Sequence, residues 1–157
     1  MTRTKIILFL FCLINLVSFS QKSFTNIDSL LYKNFKTVNS RDTIAYISLI
    51  NKTAVFKDKK AKSKKDSLIV LKPFKVNYKT VIEKLAEMVG DKKFTVSYLG
   101  YETINQQPIS AMRKGKIIIR VKLLVNSTIK VNMPFVVVKN EDIYTIETPM
   151  IVLFNDK

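Results

Sequence analysis

Two carboxylates in this chain stand where acid–base chemistry could be placed. Glu102 shares side-chain parity with Phe94, Val96 and Tyr98, and Glu147 shares it with Ile143 and Thr145. Residues two apart on a strand point to one face, so either glutamate could look inward beside apolar companions. A carboxylate within reach of a tyrosine hydroxyl is a workable proton-transfer pair. The plainer reading is that both glutamates lie near strand ends, where water reaches them, and pair with lysines on the rim.

Tyrosine also suits ligand recognition, because it joins a flat apolar body to a polar tip. Tyr32, Tyr46 and Tyr98, with Met133 and Phe135, are the candidate pocket-lining residues; core packing competes with that role for each of them. The third chemical signal is charge. Lys and Arg number 27 against 12 Asp and Glu, a formal net charge of +15. Its densest part is KDKKAKSKK at 57–65, with Lys57, Lys59, Lys60, Lys62, Lys64 and Lys65 as candidate polyanion contacts. No aromatic residue interleaves these lysines, so base stacking on single-stranded nucleic acid has no platform. Anionic envelope glycans or lipid headgroups fit a Lys-rich surface better, and a solvated loop is the bland alternative.

Other chemistries lack their residues. There is no His for a triad, a His-bearing zinc site or haem ligation. With three Gly, the chain has neither a GxGxxG nor a GxxxxGK[ST] phosphate cradle. The lone Cys12 and the scattered acids suggest no metal site, and no cofactor is expected.

Residues 1–20 read as a secretory signal peptide. Arg3 and Lys5 precede an apolar run over 6–17, and Ser18-Phe19-Ser20 puts small residues at the −3 and −1 positions before Gln21. The apolar run is shorter than the roughly 20 residues a bilayer span needs. The expected product is an exported single domain over 21–157, in the periplasm or outside the cell, standing on its core without disulfides.

The elements that must position these side chains follow from periodicity. Thr25-Asn26-Ile27-Asp28 has capping-box form, followed by Ile27, Leu30, Leu31, Phe35 and Val38 at helical spacing. Ser40 or Asp42 can cap a second helix with Ile44, Ile47, Leu49 and Ile50 as its apolar set. Residues 57–65 read as a loop, and 67–74 as a short strand ended by Pro73. Tyr78, Val81, Ile82, Leu85, Met88 and Val89 predict a helix over 78–89, with Asn77 as cap, a Val76–Val81 staple and Gly90 at its end. Thereafter the period becomes 2, over 94–98, 116–125, 130–137 and 143–146, with a further strand over 150–154. This is an antiparallel meander with one covered face.

Three helices are then available to cover a curved sheet of 4–6 strands, giving an α+β cone with the helices on its concave face. In this order the chain resembles the nuclear transport factor 2-like, cystatin-like superfamily. The residues that carry the likeness are Leu30-Leu31-Tyr32 through Asn39-Ser40-Arg41-Asp42, Tyr46-Ile47-Ser48-Leu49, and above all KIIIRVKLLVN and MPFVVVKNEDIYTI within 116–146. The resemblance implies a pocket at the cone mouth and, in many members, pairing through the open sheet face, here Ile118, Leu124, Val136 and Val138. It implies two functional classes. One is a non-catalytic module of the cell envelope, binding a small molecule or an envelope protein. The other is an isomerase- or hydrolase-like enzyme resting on a Tyr–carboxylate pair. A basic adaptor for envelope polyanions is the third reading, drawn from charge.

Overall fold

The computed structural model describes residues 24–104 and 115–150. The expected signal peptide lies outside them, as does all but the first residue of the strand expected over 150–154. The described residues form four helices followed by a curled, four-stranded antiparallel sheet, an α+β half-barrel consistent with a cone.

Helix α1 spans Ile27–Ser40. Its N-cap is Asn26 rather than Thr25: the Asn26 side chain accepts a hydrogen bond from the Asp28 amide at 2.6 Å. Asp42 caps α2, Thr43–Ser48, accepting from Ala45 N at 2.9 Å. Ile44 corrects the apolar set expected there, because it is 84% exposed while Tyr46 and Ile47 turn inward. A further short helix, α3 over Lys52–Asp58, is capped by the Asn51 side chain.

The largest departure is α4, Lys64–Val89. It replaces both the strand expected over 67–74 and the separate helix expected from 78. Its start is a reciprocal capping box: Ser63 Oγ accepts from Asp66 N at 3.1 Å, and Asp66 Oδ2 accepts from Ser63 N at 3.0 Å. Val76 and Asn77 are therefore interior, not cap and staple. Pro73 sits mid-helix on the exposed side, so the carbonyl it leaves without an amide partner can be hydrated. What overrides its breaking tendency is the buried stripe Leu71, Phe74, Tyr78, Val81 and Leu85, which continues through Pro73 at helical spacing. Gly90 ends the helix at φ 71°, as its position predicts. The lysine run is accordingly not one loop: Lys57 is in α3, and Lys64 and Lys65 open α4.

Strands β1 Val96–Thr103, β2 Lys116–Val125, β3 Ile129–Asn140 and β4 Ile143–Thr145 pair in sequence order. Asn126 and Ser127, both at positive φ, make the primed turn that matches strand twist between β2 and β3. Gly115 is required at φ 94°, since a Cβ there would stand 2.5 Å from the Lys139 carbonyl oxygen. The inward rows Ile119, Val121, Leu123, Val125 and Val131, Met133, Phe135, Val137 meet the helices in one core cluster. Tyr46 of α2 and Tyr78 of α4 stack there at 4.5 Å, and the Tyr78 hydroxyl donates to Thr37 O of α1 at 2.5 Å. On the other sheet face Ile118 and Leu124 are half-buried, while Val136 and Val138 are already buried within the chain.

Candidate functional site

Helix α1 lies against β1, and the seam between them holds a groove of about 590 Å³. Its helical wall is Tyr32, Phe35, Lys36, Asn39 and Ser40, and its strand wall is Val96, Ser97 and Tyr98. The spacing i, i+3, i+4, i+7, i+8 sets the helical residues in one row beside the buried stripe. That row grades from apolar to polar: Phe35 is buried, whereas Tyr32 is 61% exposed.

Three contacts fix the groove. The Phe35 and Tyr98 rings stack with centroids 6.3 Å apart and planes 5° from parallel. Tyr98 OH donates to Asp28 Oδ1 at 2.5 Å. The Asn39 side chain pairs with the β1 backbone like an added strand residue: Val96 N donates to Asn39 Oδ1 at 2.6 Å, and Asn39 Nδ2 donates to Val96 O at 2.7 Å. Each helix-to-strand bond locks the width of the seam. Burial and, secondarily, the Asp28 carboxylate push the Tyr98 phenol well above its ordinary range, so it stays protonated at neutral pH. Tyr101 is raised in the same direction by burial and by Asp28.

The structure brings together only part of the expected pocket. Tyr32 and Tyr98 line the groove. Tyr46, Met133 and Phe135 are no more than 1% exposed and belong to the filled core, whereas the groove that Tyr32 and Tyr98 line lies at the helix–strand flank.

Glu102 does not face inward. The β1–β2 register shifts between Tyr98 and Gly100, so Tyr101 opposes buried Val121 and Glu102 opposes Arg120 on the outer face. There Glu102 accepts from Arg120 at 2.5 Å and pairs with Lys122 at 2.9 Å, which holds its carboxyl below the usual carboxylate range. Glu147 accepts from Asn51, Asn140 and Thr145, each at 3.1 Å, and so fastens the end of β4 to the start of α3. The Tyr–carboxylate contact that does form is Tyr98–Asp28, a pairing that parity along one strand has no means to show. Lys36, Asn39 and Ser40 were also missed; their shared helical row with Tyr32 is the signal that points to them.

Among the described residues no group of three His, Cys, Asp or Glu side chains is placed to hold a metal ion. Comparison with protein-family models, with curated proteins and with solved structures returned no match.

Proposed function

We propose that this chain is a binding module whose ligand site is the α1–β1 groove, taking a small molecule with a flat apolar body and an anionic edge. The observation that carries the reading is the juxtaposition in one groove of an exposed aromatic wall, Tyr32, a stacked Phe35–Tyr98 floor and a cation, Lys36. An aromatic body gains burial and stacking against such walls, and an anionic edge gains a charge-assisted bond at the lysine. Ser40, Ser97 and Asn39 add polar atoms around the same opening.

Binding without turnover is the reading favoured. The Tyr98 phenol already donates its hydrogen bond to Asp28 and burial holds it protonated, so it is not poised as a base within the groove. The residue pattern over 1–21 supports export of the module to the cell envelope. The order of helices then curled antiparallel sheet supports membership of the nuclear transport factor 2-like superfamily.

The test is a titration with an anionic aromatic probe, 8-anilinonaphthalene-1-sulfonate, on the folded chain. Tyr32→Ala and Lys36→Gln should each weaken binding by roughly five- to tenfold, the size of one lost stacking or charge-assisted contact. Undiminished affinity in both variants would place the probe elsewhere and defeat the proposal.

A further inference from the structure

Helix α4 carries a second apolar face that its packing leaves outside. While Phe74, Tyr78 and Val81 fill the core, Leu68 and Ile69 are each 59% exposed and Val76 is 49% exposed. With Lys65, Lys72 and Lys79 they follow the spacing i, i+3, i+4, i+7, i+11, i+14, which is one stripe down the outer side of the helix. The three lysines are exposed. Asp66 lies beside this row rather than on it and is held in the capping box at the helix start, and the next acid in the sequence is Glu83, one turn beyond Lys79. At the amino-terminal end the stripe runs into the lysine-rich corner at 57–65. At 1.5 Å per residue, 65 to 79 covers about 21 Å.

We infer that this face of α4 lies flat on an anionic phospholipid surface. Large apolar side chains alternating with lysines on an exposed helix are the composition of an interfacial helix. The aliphatic groups enter the boundary between headgroups and acyl chains, and each lysine stem reaches back to a phosphate. Charge complementarity selects the occupant. A stripe free of acids between Lys65 and Lys79, on a chain of net charge +15, is matched by a continuous anionic surface. Among the described residues no helix is long and apolar enough to cross a membrane, so α4 rests on the bilayer rather than spanning it. The contact is independent of the α1–β1 groove and stands or falls separately from it.

The chain contains no Trp, so Leu68→Trp gives a single reporter on this face. It is measured in the full chain, where residues 1–20 are common to every variant. Vesicles of phosphatidylcholine with about one-third phosphatidylglycerol should shift its emission to the blue, and pure phosphatidylcholine should not. In sedimentation with the anionic vesicles, Lys65→Gln, Lys72→Gln and Lys79→Gln should each cost roughly fivefold in partitioning. Leu68→Ser with Ile69→Ser and Val76→Ser should lower it at least tenfold with the circular dichroism spectrum retained. Three outcomes would overturn the inference: an equal emission shift with neutral vesicles, sedimentation with no emission shift, or an unchanged partition in both the lysine and the apolar variants. An equally large emission shift with soluble polyglutamate would overturn it too, in favour of an acidic protein partner.

Discussion

Asn34 lies in the middle of the apolar stripe of α1, between Leu30, Leu31 and Val38, and is fully buried. Neither Oδ1 nor Nδ2 has a hydrogen-bond partner among the described residues. Desolvating an amide without compensation costs about 1–3 kcal/mol on the scale of protein mutations. Leucine has the same branching, removes that penalty and adds a few tenths of a kcal/mol of helix preference. Its bulkier methyl groups offset part of the gain in a close-packed core. Asn34→Leu should therefore stabilise the fold by about 1–2 kcal/mol, which for a urea slope of about 2 kcal/mol per molar moves the midpoint up by about 0.5–1 M. Equilibrium urea unfolding, followed by far-ultraviolet circular dichroism and by tyrosine fluorescence, checks both the shift and the coincidence of the two transitions. A midpoint that falls by a similar amount would refute the reasoning. The amide would then be paired in solution, and its place in the apolar stripe would have to be explained by what it binds.

Other consequences are smaller. Pro73→Ala restores an amide in the interior of α4 and should raise stability by about 1–3 kcal/mol, seen as a higher thermal midpoint. Gly115→Ala should cost about 1–3 kcal/mol, because its Cβ would meet the Lys139 carbonyl in a left-handed conformation; an unchanged midpoint would contradict the β2–β3 geometry. The folded-state pKa of Glu102 is depressed by Lys122 and Arg120, so its support is present above the unfolded carboxylate value and is lost as pH falls through the folded one. Glu102→Gln should thus be the less stable protein near neutrality, with the two stability curves converging in acid. Parallel curves down to about pH 2 would remove the ion pairs from consideration.

The elements that could be read from sequence are those whose determinants are local. Strands β2 and β3 announce themselves by inward rows of period 2, the turn between them by Asn126-Ser127-Thr128, the start of α2 by Asp42 and the end of α4 by Gly90. The first half of α4 was misread because Leu68-Ile69-Val70 and Pro73 are strand-like in isolation. Only the burial of Leu71 and Phe74 in phase with Tyr78 and Val81 decides for a helix, although the Ser63–Asp66 capping box was legible in advance. Glu102 was misplaced for a related reason: parity counts forward faithfully until a bulge, and the one between Tyr98 and Gly100 reverses every side chain after it. The groove is harder still. Its walls come from α1 and β1, and the bonds that set its width, Asn39 to Val96 and Tyr98 to Asp28, join residues 57 and 70 positions apart. No window along the chain contains both partners.

The most direct measurement is amide chemical-shift mapping of the folded chain titrated with the same anionic aromatic probe. Shifts concentrated at Tyr32, Lys36, Ser40, Ser97 and Tyr98, and abolished by Tyr32→Ala, are the expected result. Shifts confined to other residues, with these five unmoved at saturation, would contradict the assignment of the α1–β1 groove as the ligand site.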